Sequence, residues 1–304
     1  MMRKWTISDM PRQEERAAVV TGTGGLGFEV ALALSRAGAE VVIAGRDPRK
    51  GAEAVSRIRS DVPAAQVRFE ALDLASLASV ARFADRVRED QQRVDLLVNN
   101  AGVMVPPERQ QTADGFELQF GTNYLGHFAL TGHLLPLLRA SAGARVVSVS
   151  SVAARSGTID WDDWNASDGY AAMPVYARSK IACLMFAFEL ERRSAVAGWN
   201  ISSIAAHPGV SRTELLHNGP GRGSVHSRVR SLLPFLFQPA ARGALPLLFA
   251  ATAPDARAGG YYGPDRLGET RGYPAEAKIP PQALDRAAAE HLWALSETAT
   301  GVRF

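Results

Sequence analysis

The chain carries one cysteine, Cys183, in 304 residues. That excludes an internal disulfide and fits a reducing compartment; within an apolar helical stretch it reads as a core thiol rather than a nucleophile. An excess of either charge is also missing. Against 34 basic residues stand 31 acidic ones, for a net charge of +3 and a pI of 9.2, without a block of five or six like charges. Nothing there holds nucleic acid or an anionic membrane surface. Long hydrophobic runs are absent: Ile181–Leu190 and Ala244–Ala253 are too short to span a bilayer. The first sixteen residues, Met1 to Arg16, are polar, without the apolar segment or cleavage site of a secretion signal, and read as a lead-in. A cytoplasmic protein with no membrane partner is the expectation. The six histidines (His127, His133, His207, His217, His226 and His291) show no metal-ligand spacing, and His207 beside Pro208 reads as structural. No Gly-x-Ser-x-Gly elbow and no repeat at solenoid spacing occurs, which leaves a serine hydrolase and a repeat protein unsupported.

What is present is an alternation of apolar strands with helices of ordinary length, starting at Ala17. Ala17–Thr21 runs into the turn Gly22-Thr23-Gly24-Gly25-Leu26-Gly27, and an apolar helix follows to about Ala37, with Gly38 as its stop. Strand, glycine turn and helix are what a nucleotide pyrophosphate needs: glycines admit the backbone closely, and the helix N-terminus offers N–H groups and a positive dipole end. The second strand, Val41-Val42-Ile43, closes on Ala44-Gly45-Arg46. A carboxylate at that place bonds the ribose 2′-hydroxyl of NAD and repels the 2′-phosphate of NADP. Here Gly45 gives space and Arg46 a cation, with Arg49 and Lys50 behind, which favours NADP(H). Asp47-Pro48 reads as the N-cap and first residue of the next helix.

Val67–Leu72 is a third strand ending at Asp73-Leu74, where Asp73 either meets an adenine edge or caps the turn into a helix around Ser76–Arg88. Val94–Val98, the fourth, runs into Asn99-Asn100-Ala101-Gly102. A long helical stretch of roughly 113–139 carries Asn123, and Arg145–Val149 is a fifth strand ending in Ser150-Ser151. Ile201–Ala205 is the sixth, leading to Pro208-Gly209 and Thr213. A short strand at Gly260–Gly263 and a helix over about 282–296 close the chain. This order predicts one α/β domain over residues 17–304, a Rossmann-type doubly wound fold with about seven parallel strands and helices on both faces.

The helix beginning near Pro174 carries the chemistry. Tyr176 and Lys180 lie four positions apart, on one helical face. A phenol ionises near pH 10, and a cation one turn away favours the phenolate, so the pair can donate a proton to a carbonyl or take one from an alcohol.

Taken in order, the glycine turn, Asn99-Asn100-Ala101-Gly102, Asn123, Ser151, Tyr176 with Lys180, and Pro208-Gly209 resemble the short-chain dehydrogenase/reductase family over roughly residues 15–300. The 25 positions from Ser151 to Tyr176, with Ile159-Asp160-Trp161-Asp162-Asp163 inside, are similar to the retinol-dehydrogenase-like branch. So are Gly260-Tyr261-Tyr262-Gly263-Pro264 and Leu292-Trp293-Ala294-Leu295-Ser296-Glu297. One departure stands out: the family turn usually reads Thr-Gly-x-x-x-Gly-x-Gly, and Thr21 to Gly27 is one residue shorter. The lost position often carries a residue near the ribose phosphate, which bears on cofactor affinity.

The resemblance implies Tyr176 as general acid or base, Lys180 on the nicotinamide ribose, and Ser151 bonding the substrate oxygen. Asn123 would hold a water that links Lys180 to solvent. Gly22 to Gly27, Arg46, Asp73, Leu74, Asn100, Ala101, Gly102, Pro208, Gly209 and Thr213 would seat NADP(H), preferred over NAD(H). The expected reaction interconverts an alcohol and a carbonyl on an apolar small molecule. Nucleotide-sugar epimerases and dehydratases share Tyr-x-x-x-Lys, and a catalytically silent NADP-binding module is the non-enzymatic alternative. Residues 157–164 read as a substrate lid or as a surface hairpin stapled by Trp161 and Trp164. About 213–240, with Leu232, Leu233, Phe235 and Phe237, reads as a mobile substrate cover. The apolar helix Val175–Leu190 suits a homodimer face or deep burial in a monomer.

Overall fold

A computed structural model describes residues 4–211 and 238–304. Thr213 and nearly all of the expected cover segment lie outside the described residues.

β-Branched and small apolar residues build the strands. β1 (Ala17–Thr21), β2 (Glu40–Gly45), β3 (Val67–Ala71), β4 (Leu96–Asn99), β5 (Ala144–Val149) and β6 (Ile201–Ala206) pair in parallel, joined at the far edge by β7 (Tyr261–Arg266). The order is β3-β2-β1-β4-β5-β6-β7-β8. The strand count is the first correction to the sequence reading: β8 (Arg271–Glu276) makes eight, and it runs antiparallel to β7. Arg-Gly-Tyr-Pro-Ala-Glu has no apolar alternation because it forms an edge, where charge and proline block further pairing.

The sheet is buried on both faces, which explains its continuous apolar strands. Val19, Val42, Leu97 and Val146 point to one core, and Val20, Ile43, Val98 and Val147 to the other. α1 (Gly25–Arg36) begins and ends close to expectation, with Gly38 at φ +96°, and α2 (Pro48–Asp61) begins where expected, Asp47 accepting from the Arg49 and Lys50 amides. α3 (Leu77–Asp90) lies on the opposite face, capped by Ser76.

The long helix expected over 113–139 is broken. It consists of a turn, α4 (Leu118–Phe120), a π-helical turn over Gly121–Leu125, and α5 (Gly126–Arg139). Glu117 starts it by accepting from the Gln119 and Phe120 amides. α6 (Ala172–Ala197) is buried nearly all round because the chain's own C-terminus covers it. After α7 (Ala240–Gly243) and α8 (Leu245–Thr252), the terminal helix α9 (Arg286–Thr300) brings Trp293 to 5.7 Å from Phe186 and 5.1 Å from Phe128. Phe304 closes the cluster, 4.9 Å from Phe128. The apolar face of α6 is thus filled within the chain. Lead-in residue Trp5 is packed as well, edge-on against Phe249.

Residues 157–171 form bends and turns, with no strand hairpin. Trp161 stacks on His291 at 4.4 Å, Trp164 packs on Phe116 and Phe120, and Arg178 donates to the Asp163 and Trp164 carbonyls. The insertion packs on the protein surface through these contacts, without the strand pairing of a hairpin.

Candidate active site

Two adjoining cavities lie at the C-terminal ends of the parallel strands, where open α/β sheets bind ligands. The larger, about 460 Å³, is lined by Gly22 to Leu26, Gly45, Arg46, Lys50, Asp73, Leu74 and Asn100 to Gly102, among others. The smaller, about 310 Å³, is lined by Ser151, Tyr176, Lys180, Pro208 and Gly209, with Val103, Met104, Val152, Met173 and Val210. Leu26, Asn100, Gly102, Val103 and Met104 border both. The predicted residues that the structure describes are thus gathered along one trough, with two exceptions that stand behind it: Gly27 and Asn123.

Gly27 packs where no side chain fits. A Cβ there would overlap the Gly22 carbonyl oxygen and come within 2.8 Å of Asn100 Nδ2. Gly22 itself has φ +98°, a backbone that glycine adopts freely. The shortened turn therefore still closes against the sheet and aims the N-terminus of α1 into the larger cavity. Asp73 satisfies the capping alternative, since its Oδ1 accepts from the Ala75 amide at 3.0 Å while the residue borders the cavity.

Asn123 sits in the π turn, 1% exposed. Its side chain grips one residue of the neighbouring loop from both sides: Oδ1 accepts from the Val103 amide at 2.7 Å, and Nδ2 donates to the Val103 carbonyl at 3.0 Å. Gly102 separates this grip from Lys180, and a Cβ there would meet Asn123 Oδ1 at 2.9 Å and Lys180 Nζ at 3.8 Å. The Asn123 carbonyl accepts from His127 Nδ1 at 2.9 Å and from the Cys183 thiol at 3.2 Å. A carbonyl only accepts, so Nδ1 carries the hydrogen and Nε2 accepts from the Thr21 hydroxyl, 3.0 Å away. Thr21 Oγ1 in turn accepts from the Asn100 and Ala101 amides, both at 2.9 Å. Burial pushes the His127 imidazole down to about 4, which keeps it neutral in this chain of bonds.

Tyr176 and Lys180 occupy the second and third turns of α6, 9% and 5% exposed. Lys180 Nζ donates to the Val149 carbonyl at 3.0 Å and stands 5.9 Å from the centre of the Tyr176 ring. Ser150 Oγ donates to the Lys180 carbonyl at 2.8 Å, which fixes the end of β5 against this helix. Ser151 caps the 3₁₀ turn Val152–Ser156, accepting from the Ala153 amide at 3.2 Å. Phenol, ammonium and serine hydroxyl all belong to residues of one small cavity, beside the glycine cradle.

A family model described as short chain dehydrogenase matches residues 16–220. The chain belongs to the short-chain dehydrogenase/reductase family. Its curated relatives include a polyprenol dehydrogenase of Mus musculus, 41% identical over 299 residues and covering 96% of this chain and 86% of that one. Retinol dehydrogenase 13 of Homo sapiens is 38% identical, with 94% and 85% covered. These similarities put the chain in the retinol-dehydrogenase-like branch. Among solved structures, an uncharacterised protein from Mycobacterium paratuberculosis matches with a TM-score of 0.81, 39% identity and 99% of both chains covered. Pseudomonas aeruginosa RhlG, in an active-site complex with NADP, matches with a TM-score of 0.64 and 27% identity, over 82% of this chain and 94% of that one. As a member of this family the protein is a nicotinamide-dependent oxidoreductase acting on the CH–OH/C=O pair.

Sequence reasoning missed the partners of the predicted residues. Gln119 accepts from the Val105 amide at 2.7 Å and donates to the Ala172 carbonyl at 3.0 Å, tying the cavity loop to the start of α6. Val105 has φ +53°, a strained value for a β-branched residue. Spacing gave the one available signal, since Gln119, Asn123 and His127 follow each other at four-residue intervals.

Proposed function

We propose that the protein is an NADP(H)-dependent oxidoreductase that interconverts an alcohol and a carbonyl on an apolar small molecule. The observation that carries this reading is the pairing of a glycine cradle edged by Gly45, Arg46 and Lys50 with a cavity containing Tyr176, Lys180 and Ser151. At Gly45 a Cβ would come within 2.8 Å of Thr23 Cγ2, so no carboxylate-bearing side chain fits without displacing Thr23, and the Arg46 guanidinium would be the group that holds a ribose 2′-phosphate. Gly22 to Leu26, with Asn100 to Gly102, would hold the pyrophosphate and ribose, Leu74 the adenine side, and Pro208 and Gly209 the nicotinamide end.

When bound, the nicotinamide supplies or accepts the hydride. In reduction Tyr176 donates its phenolic proton to the carbonyl oxygen, and in oxidation it takes the alcohol proton. The Lys180 ammonium stabilises negative charge developing on the phenol oxygen. Ser151 has its acceptor side bonded to Ala153 N, which leaves the hydroxyl hydrogen for the substrate oxygen and the charge growing there. Asn123 fixes Val103 and, through it, Gly102 beside Lys180. A relay water at its carbonyl displaces only a thiol, a weak donor.

Val103, Met104, Val152, Met173 and Val210 make the catalytic cavity largely hydrocarbon, which suits an apolar alcohol of the kind named for the polyprenol and retinol dehydrogenases. Filling of the α6 face by Trp293 and Phe304 favours a monomer. NADPH oxidation across a panel of carbonyls that includes long apolar aldehydes, with NADH in parallel, tests the proposal. Turnover with NADPH supports it, and the absence of turnover with either nucleotide sinks it.

A further inference from the structure

We propose that Glu269 is a positioning residue that sets the wall of the catalytic cavity formed by Pro208 and Gly209, acting through His207 and Arg155. The inference rests on the cofactor reading above. Glu269, His207 and Arg155 do not line the cavity; they stand behind two neighbouring parts of its wall, the segments that follow β5 and β6.

Glu269 lies in the turn between β7 and β8, and each of its carboxylate oxygens is engaged. Oε2 accepts from His207 Nε2 at 3.0 Å and from the Arg155 guanidinium at 2.7 Å; Oε1 accepts from the Lys278 amide at 2.9 Å. His207 Nδ1 accepts from the Gly209 amide at 3.2 Å, so the hydrogen is on Nε2 and the ring is held from both sides. Arg155 belongs to the 3₁₀ turn that follows Ser151 and also donates to the Gly268 carbonyl at 3.1 Å. One carboxylate therefore ties the segment carrying Ser151 to the loop carrying Pro208 and Gly209.

The loop has little freedom to settle elsewhere. His207 is fully buried, and a Cβ at Gly263 would overlap its ring. Val210 N donates to the Thr270 carbonyl at 2.8 Å, one residue beyond Glu269. The hairpin does not need Glu269 for its own closure, since β7 and β8 share a ladder and Asp265 accepts from the Tyr273 amide at 2.8 Å. Yet Glu269 is held at φ +68°, beside Leu267 at +49° and Gly268 at +66°. Glycine adopts such angles without strain and glutamate does not. The exposed Leu267 shares that backbone, so the turn itself runs left-handed; what sets Glu269 apart is a carboxylate that reaches out to both cavity walls.

The experiment uses the full chain with Glu269→Ala, Glu269→Gln and Arg155→Met. It measures the affinity for NADPH, the affinity for adenosine 2′,5′-bisphosphate (the adenine half of the cofactor), kcat/KM on a carbonyl that the wild type reduces, and Tm. A shifted wall costs the nicotinamide end alone. Glu269→Ala is expected to weaken NADPH about tenfold and to lower kcat/KM by up to about 100-fold, with the adenine fragment held within about twofold. Gln restores part of the loss, and Arg155→Met reproduces it if the Ala variant does not fold. Parallel losses for NADPH and the fragment that follow Tm, or unchanged NADPH affinity and kcat/KM, overturn the inference. Wild-type protein that binds neither ligand overturns the cofactor reading itself.

Discussion

Along the glycine cradle the chain presents mostly backbone to the larger cavity, and the turn depends on side chains being absent at Gly22 and Gly27. At the catalytic cavity the chain presents side chains, and each depends on partners from distant segments: Lys180 on Val149, Asn123 on Val103, His207 on Glu269. The first region takes its turn from its own glycines and leans on Asn100 of one neighbouring loop, whereas the second exists only once the fold brings α6, β5, β6 and the β7–β8 hairpin together. Local sites are sensitive to added volume, and assembled sites to the loss of one bond in a network.

The sharpest way to break the comparison is Tyr176→Phe. It removes one hydroxyl from the assembled site and leaves the cradle intact, so kcat is expected to fall by about 10²–10⁴-fold while NADPH affinity, measured by fluorescence titration, stays near wild type. Near-normal turnover would remove Tyr176 from the chemistry.

The next test acts on the buried chain that joins the two regions. Burial holds the His127 pKa at about 4 in the folded protein, below the ordinary value of about 6.5, so the unfolded chain takes up the proton first as the pH falls. Stability from this residue is full above about pH 6.5 and is lost as the pH drops toward 4, by about 3 kcal/mol in all. His207, also lowered by burial, acts in the same direction. Urea unfolding from pH 7.5 to 4.5 should show the loss, and His127→Gln should flatten part of it; an unchanged profile in that variant would exonerate His127.

Arg46→Ala addresses the cradle's charge without its shape. Loss of one charged hydrogen-bonding group to a phosphate is worth about 1.5–3 kcal/mol, so NADPH binding should weaken by roughly 10–100-fold while NADH binding hardly changes. Equal weakening of both would show that Arg46 does not read the 2′-phosphate. The smallest effect is expected from Gly45→Ala, whose new methyl meets Thr23 Cγ2 at 2.8 Å. A shift of Thr23 absorbs most of it, at a cost of no more than about 1 kcal/mol in NADPH affinity. A loss as large as that of Arg46→Ala would mean that the turn is rigid.

The same contrast accounts for what could be read in advance. The cradle, the strands β1 to β6 and the pair Tyr176/Lys180 were legible because each rests on a local period: glycines in a turn, apolar runs, one helical face. β8 was not, since an edge strand with proline and charge carries no apolar alternation. The π turn at Asn123 was not, because its side chain hangs on Val103 and Ser179, which meet it only in the folded chain. Nor did Trp161 reveal that it stacks on His291, well over a hundred residues away.

By itself, then, the amino-acid order determined the alternating architecture, the place of the glycine turn and the pairing of Tyr176 with Lys180 on one helical face, since backbone conformation and hydrophobic periodicity are properties of neighbours along the chain. Only the tertiary structure decided that α6 is sealed by the chain's own C-terminus, that Trp161 and Trp164 of the insertion pack on His291, Phe116 and Phe120, and that Glu269 stands behind two cavity walls. Those outcomes depend on which surfaces meet, and hydrogen bonds between segments a hundred residues apart leave no period to read.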